Sequence, residues 1–301
     1  MDFTIKQFNA KYPDEESCLE DIFKNRYGTL IECPKCYKPA TIETGFSRVA
    51  GRKCYACQWC GFQIHPLADT IFHKSETSLK SWFYAIWLFS NSKNGVSAKE
   101  LERQLGVTYK TAWRMAKQIR LLFVQTQKQL RGTVEIDETF IGGSESNKHF
   151  VDRQTNHQGM NVQKKTTVMG MVEREGRIVA QVVTDANDST VKPIIRRNVK
   201  IGTNIMTDEW RGYKKLNQMG YKHRRVNHTA KEYVRGTVHT NTIEGFWSQL
   251  KRSINGTYHC VSPKHLQSYV NEFAYRYGKR DSVQPLFYPM IGLAGRPVRS
   301  A

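Results

Sequence analysis

No apolar run in this chain approaches the roughly 18 residues of a membrane-spanning helix. The longest, Trp82 to Phe89, is the length of a buried helical segment. The first residues, MDFTIKQFNAKYPDEESC, lack a basic start followed by an apolar block, so no secretory signal is expected and a cytoplasmic location follows by default. Internal repeats and low-complexity tracts are missing too. Acidic residues are scarce: 27 Asp and Glu stand against 46 Lys and Arg, a formal net charge of +19 over 301 residues. Such an excess excludes indifference to polyanions and points to nucleic acid as partner, with no membrane involved. Cysteines suited to a disulfide framework are also lacking. Their number, seven, is odd, and five fall between Cys33 and Cys60, the pattern of a local metal cluster.

Texture divides the chain into three zones. Residues 1–66 are polar, short-patterned and cysteine-bearing, and residues 67–130 are helical by period, with Trp82, Ala85, Ile86 and Phe89 on one face. From 131 to 301 the alternation of strands dominates. Thr133–Ile141, Thr166–Val172 and Arg177–Val183 read as a meander, 189–198 as a helix, 203–208 as a strand, 213–219 as a helix, 221–226 as a fifth strand, with a further helix from Thr242. The polar segment 144–165 reads as a long loop.

Cys33-Pro-Lys-Cys36 and Cys57-Gln-Trp-Cys60-Gly are two C-x-x-C knuckles with twenty residues between them, a spacing that closes a tetrahedral thiolate site around zinc. Cys33, Cys36, Cys57 and Cys60 are the expected ligands. A glycine directly after the last one suits the tight turn. Cys54, which makes a second C-x-x-C with Cys57, and nearby His65 are the alternatives, and idle or redox-active thiols are the competing account.

Residues 97–117 carry capping positions at Ser97 and Thr108, apolar Leu101 and Leu105, and a glycine between them at 106. Two short helices joined by a glycine turn fit a helix-turn-helix whose second helix presents Tyr109, Lys110 and Arg114 to a DNA groove, with Trp113 packed inward. An ordinary helical hairpin is the plainer alternative.

In Val134-Glu-Ile-Asp-Glu-Thr139 the apolar residues face one side and Glu135 and Asp137 the other. Asp208 ends a second strand. Were those strands paired, two carboxylates would adjoin, a repulsion that a divalent cation relieves through hard oxygen ligands. At about 100° per residue, Phe246, Trp247, Leu250 and Ile254 share a face of the helix from Thr242, and Glu244 and Lys251 share a polar stripe beside it. Glu244 is thus either a third carboxylate or the closing residue of a capping box begun at Asn241. Before that helix, His239 shapes a pocket or is simply structural. Trp210 and Tyr213 either stack on bases or lie in the core.

Asp137, Asp208, thirty-five intervening residues, Glu244 and then Lys251 resemble the DDE signature of transposases and retroviral-type integrases. Cys33–Cys36, Asp69-Thr-Ile-Phe-His-Lys74, Ala98-Lys-Glu-Leu101, Val134–Gly143, Thr207–Tyr213 and Asn241–Ser248 resemble the bacterial insertion-sequence transposases that carry an N-terminal zinc ribbon. The resemblance implies an α/β, ribonuclease-H-like mixed sheet with flanking helices, preceded by the ribbon (1–66) and a helix-turn-helix region (67–130). It implies Asp137, Asp208 and Glu244 as ligands of two Mg²⁺ or Mn²⁺ ions, Lys251 as a DNA contact, and phosphoryl transfer at transposon ends and into target DNA. The partner would be double-stranded DNA, gripped by more than one copy of the chain. Some relatives use asparagine as third ligand, which makes Asn241 the alternative to Glu244. A nuclease without strand transfer and a DNA-binding regulator are the rival functions.

Overall fold

The structure, a computed structural model, describes residues 3–123, 128–142, 165–208, 210–226 and 238–298. The expected loop at 144–165 lies outside these residues except for Lys165. Two compact units emerge, Met1–Leu122 together with Ser282–Ala301, and Phe123–Asp281. Among the described residues no helix is long and apolar enough to cross a membrane.

The first unit is helical around a small sheet. It begins with α1 (Ile5–Lys11) and α2 (Glu15–Tyr27), two helices inside the stretch expected to be short-patterned. Thr4 and Gln7 form a capping box on α1, and Asp14 caps α2 by accepting from Ser17 N. The strands β1 (Phe46–Arg48), β2 (Tyr55–Cys57) and β3 (Gln63–Ile64) form an antiparallel sheet, with Tyr55 stacked on Phe23 at a 3.9 Å ring separation. In α3 (Leu79–Asn91), Trp82, Ala85, Ile86 and Phe89 are all fully buried, as their spacing predicts. Then come α4 (Ala98–Leu105) and α5 (Tyr109–Arg120). The chain's last helix, α9 (Phe287–Ala294), also belongs here, although residues 131–301 are a single zone by sequence texture. Phe287 is the reason: its ring lies within 6.3 Å of Phe3, Phe8, Tyr12 and Phe83, an aromatic cluster whose members are far apart in sequence.

The second unit is a five-stranded mixed sheet in the order β6-β5-β4-β7-β8. Its first three strands, β4 (Thr133–Ile141), β5 (Thr166–Glu173) and β6 (Ile178–Val183), form the expected antiparallel meander. A crossover through α6 (Asp188–Asn198) then returns the chain to the other side of β4, so that β7 (Asn204–Thr207) pairs with β4 in parallel, and β8 (Lys222–Arg225) with β7. Between β7 and β8 a helix was expected over 213–219. Two short 3₁₀ turns, Arg211–Tyr213 and Asn217–Met219, stand there instead, because Lys215 at φ 74° and Gly220 at φ 87° interrupt any helical run.

Both faces of the sheet are covered. Val134, Ile136, Met169, Met171 and Ile205 pack on Val191 and Ile195 of α6 and on Tyr213. The opposite face, with Val168, Val172 and Ala180, packs under α7 (Asn241–Ser253) and α8 (Pro263–Gly278) through Ile243, Phe246, Trp247, Leu250, Val270 and Phe273. Gln267 of α8 bonds Val182 N and Ala180 O and so closes the edge strand β6. The central strand β4 therefore sends alternate residues into two different layers, and the candidate site grows from that alternation.

Candidate active site

The four knuckle cysteines converge. Their sulfurs all lie within 4.8 Å of one another, with Cys33 Sγ 3.7 Å from Cys60 Sγ and Cys36 Sγ 3.8 Å from Cys57 Sγ. A tetrahedron of thiolates about 2.3 Å from zinc has edges of about 3.8 Å, so the cage fits that ion. Burial resists ionisation at Cys33, yet the backbone N–H groups of Cys36 and Lys35 outweigh it and bring the thiol down to about 6. At Cys60 the N–H of Phe62 favours the thiolate, but burial and the three neighbouring sulfurs push it up to about 12. Four thiols so crowded cannot all ionise without a cation among them. Cys54 is buried outside the cage, with its sulfur 3.8 Å from Gln63 Oε1, and His65 is exposed. The turn after each knuckle is left-handed, Gly61 at φ 67° as expected and Tyr37 at φ 56°.

The carboxylates follow from the sheet. Thr133, Val134 and Glu135 pair in parallel with Asn204, Ile205 and Met206, and the two chains run on to Asp137 within β4 and to Asp208, the first residue after β7. Asp137 lies on the α7 side of the sheet, where the Trp247 indole reaches it, and the field of Asp208 acts on it there. Asp208 follows the end of β7 and accepts the Trp210 N–H at 3.0 Å, which fixes it in a turn. Glu244 stands in the first turn of α7, exposed, and accepts the Thr240 hydroxyl at 2.8 Å. Burial, then the field of Asp208 and, more weakly, that of Glu244 raise the Asp137 carboxyl to about 6. The fields of Asp208 and Glu244 therefore both reach Asp137. The three acids are not collapsed together: among the described residues only the four cysteines bring three or more ligand atoms within 4.8 Å.

Residues 129–278 match the model of the ISXO2-like transposase domain. Over 83% of this chain and 86% of its own length, an uncharacterized protein in the transposable element ISH50 of Halobacterium salinarum is 26% identical. An uncharacterized transposase-like protein of Haemophilus influenzae is 27% identical over 35% of this chain and 84% of its own length. By this domain the chain belongs to the insertion-sequence transposases.

Within the transposase domain, Asp137 is held by a residue whose sequence position suggests only core packing. The indole Nε1 of Trp247 donates to Asp137 Oδ2 at 3.0 Å. Room for that indole comes from Gly170, the β5 partner of Asp137, where a Cβ would lie 2.6 Å from the Trp247 ring. On the other face, burial pushes the neighbouring Glu138 up to about 8 although the Tyr213 phenol favours its charge; Asp137 and Asp208 add to the rise. Glu138 Oε1 and the Tyr213 hydroxyl are both buried and short of hydrogen-bond geometry. Tyr213 is fully buried, which assigns it to the core, and Trp210, half-buried, packs edge-on against it at 5.5 Å.

The capping box between Asn241 and Glu244, the alternative account of Glu244, does not form. The residue at the helix boundary is Thr240, without a side-chain capping bond, and Asn241 is exposed. The cap arrives from β4: Glu135, wholly buried, accepts the N–H groups of Thr242 and Ile243 at 2.8 and 3.1 Å. No local spacing announces a cap donated from over a hundred residues upstream. Lys251 is exposed one stripe along from Glu244.

In the first unit of the transposase, Ser97 and Thr108 cap α4 and α5 as expected, joined through Gly106 at φ 64°. Tyr109 and Lys110 are exposed, with Lys99 Nζ 5.0 Å above the Tyr109 ring. Arg114 turns inward, donating to Ser75 Oγ at 3.2 Å over the Trp82 ring. Trp113, expected to pack inward, is 37% exposed instead, with Lys117 Nζ 5.5 Å from its ring. The buried apolar positions of α5 are Ala112, Met115, Ala116 and Ile119, a stripe that leaves 113 outside.

Proposed function

We propose that the chain is a DDE transposase, a phosphoryl-transfer enzyme that cleaves DNA at transposon ends and joins the freed ends to target DNA. The observation that carries this reading is the approach of Asp137 and Asp208 from two neighbouring parallel strands, where burial and, after it, the field of Asp208 raise Asp137 to about 6. Such a pair, with Glu244 on the helix above, is a set of hard oxygen donors short of a cation. A strand order in which an antiparallel meander is extended by two parallel strands supports a ribonuclease-H-like fold for the catalytic zone that begins near residue 131.

Asp137, Asp208 and Glu244 would hold two Mg²⁺ or Mn²⁺ ions. Bound there, the pair would activate water or a 3′-hydroxyl and neutralise the charge of the in-line displacement at phosphorus. The residues themselves have positional tasks. Trp247 fixes the rotamer of Asp137 through its N–H, the turn at Trp210 fixes Asp208, and the Thr240 hydroxyl orients Glu244. Lys251, one stripe along the same helix, would meet a phosphate of the DNA near the site. Residues 67–130 would grip double-stranded DNA through a helix-turn-helix, with Tyr109 and Lys110 of α5 at the groove. Several copies would act together on paired transposon ends, and a zinc ion in the Cys33, Cys36, Cys57 and Cys60 cage would hold the ribbon.

Alanine replacement of Asp137, Asp208 or Glu244 should abolish Mg²⁺-dependent cleavage of the insertion sequence's own ends and their joining to plasmid DNA. Retained cleavage by Asp137→Ala or Asp208→Ala removes the reading. Cleavage that survives in Glu244→Ala and dies in Asn241→Ala moves the third ligand to Asn241. Cleavage without any joining turns the assignment to a nuclease.

A further inference from the structure

We propose that Glu135 is a positioning residue, the anchor that sets helix α7 in register on β4 and so fixes Glu244 relative to Asp137. Glu135 lies two residues before Asp137 on the same face of β4, wholly buried. Its Oε1 accepts from Arg174 Nε at 2.7 Å and from the Thr242 hydroxyl at 2.8 Å, and its Oε2 from the N–H groups of Thr242 at 2.8 Å and Ile243 at 3.1 Å. A carboxylate has about four acceptor sites, and four donors occupy them here. His239 Nδ1 stands a further 3.3 Å from Oε1. Glu135 is therefore spent on protein donors and is no fourth metal ligand, although it shares the face of Asp137.

What those donors have in common is the start of α7. The helix has no side-chain cap of its own, because the hydroxyl of Thr240 is turned to Glu244. Two of its otherwise orphaned N–H groups, with their partial positive charge, are met by the strand carboxylate. Arg174 completes the joint: it neutralises Glu135, and a guanidinium N–H donates to the carbonyl of His239 at 3.0 Å, while its backbone N–H bonds Thr133 O. The second tie is Trp247 to Asp137. Residues 243 and 247 are about 6 Å apart along a helix, and residues 135 and 137 about 7 Å apart along a strand. Two ties at matched spacing leave α7 no freedom to slide, and Glu244 sits between them.

The inference rests on Asp137, Asp208 and Glu244 as metal ligands, so the experiment measures both. Mn²⁺ binding to the full-length, zinc-loaded protein is titrated by electron paramagnetic resonance, beside thermal melting and zinc content, for the parent, Asp137→Ala, Glu135→Gln, Arg174→Met and Arg174→Lys. The amide of Glu135→Gln keeps the shape but turns an N–H₂ toward donors. Folded Glu135→Gln is expected to bind Mn²⁺ at least tenfold more weakly, Arg174→Met likewise, and Arg174→Lys to recover part of the loss. A solely structural Glu135 would lower the melting temperature and leave the Mn²⁺ affinity of the folded protein unchanged. Parental affinity in Glu135→Gln while Asp137→Ala has lost it overturns the anchor alone, and should Glu135→Gln fail to fold, parental affinity in Arg174→Met does the same. Parental affinity in Asp137→Ala overturns the metal reading and the anchor with it.

Discussion

The thiol cluster and the proposed carboxylate site of this transposase both offer donors suited to cations, yet they are organised in opposite ways. The cysteines come from one stretch of 28 residues, two hairpin-like knuckles, and their sulfurs already lie at the edge lengths of a tetrahedron. The carboxylates come from a central strand, the end of its parallel neighbour and a helix, and they interact through space without closing up. A small sheet of two- and three-residue strands has little core with which to hold its loops, so a zinc ion bound in the cage would be part of what folds it. The five-stranded sheet has two packed faces, so it can force like charges together and bear the cost. A zinc ion would stabilise the first centre; in the second, burial and neighbouring charge act against the ionised form of Asp137.

Removal of the metal or its ligands should split the two most sharply at the cysteines. Structural zinc contributes on the order of 10 kcal/mol to the folding of such modules. Cys33→Ser, or a strong chelator, is expected to release the zinc and expose the segment from Cys33 to Ile64 to protease, while residues 129–281 keep their melting transition. Metal analysis and limited proteolysis read this directly. A Cys33→Ser protein that retains zinc and protease resistance would make the ribbon self-supporting and erase the contrast.

At the carboxylates the sign reverses. The folded Asp137 carboxyl stands at about 6, above its ordinary value near 4, so the folded state holds that proton more tightly than the unfolded chain does. The destabilisation is full above pH 6, fades as the pH falls through 4, and is lost near pH 3, where both states are protonated. Without divalent metal, Asp137→Asn should therefore be more stable than the parent by about 1–2 kcal/mol at pH 8, allowing for partial solvent access, and about equal to it near pH 3. Urea denaturation at the two pH values measures the difference. For the same reason Mn²⁺ binding by the parent should weaken as the pH drops through 6. An Asp137→Asn protein less stable than the parent at pH 8 would mean that the Trp247 bond outweighs the repulsion.

How far each centre is legible in the sequence follows from the same difference. The cysteine ligands lie close together in the chain and in a fixed spacing, so Cys33, Cys36, Cys57 and Cys60 are readable as a group. Strands β4 to β8 are equally readable, to within a residue or so at their ends; in β4 to β7 one or both faces are buried and alternation or apolar runs record it, whereas β8, Lys-His-Arg-Arg with no buried residue, is bracketed by the buried Tyr221 and Val226. The apolar face of α7 is likewise plain. What is not local is not written locally. The cap of α7 by Glu135, the support of Asp137 by Trp247 over Gly170, and the return of Phe287 to the first unit each join residues about 77 to 284 positions apart. Trp113 misleads because a large aromatic side chain invites burial, whereas the phase of α5 set by Ala112, Met115 and Ala116 turns it out.

The smallest effect distinguishes the knuckles of the ribbon from each other. Both need a left-handed residue directly after their second cysteine, where a backbone N–H turns back to the carbonyl of the first: Tyr37 N bonds Cys33 O at 2.9 Å, and Gly61 N bonds Cys57 O at 3.0 Å. Glycine enters that region without penalty, whereas a side chain costs about 1–2 kcal/mol. Tyr37 is 71% exposed, so its ring contributes little packing to offset the strain. Tyr37→Gly removes the strain but gives the unfolded chain more freedom, which returns about 0.5–1 kcal/mol of the gain. The net expectation is a ribbon more stable by up to about 1 kcal/mol, read as slower loss of zinc to a chelator, whereas Gly61→Ala should lose zinc faster. If Tyr37→Gly also released zinc faster, the exposed ring would have to be making a contact that stabilises the first knuckle, and the two knuckles would be alike in geometry but not in what holds them.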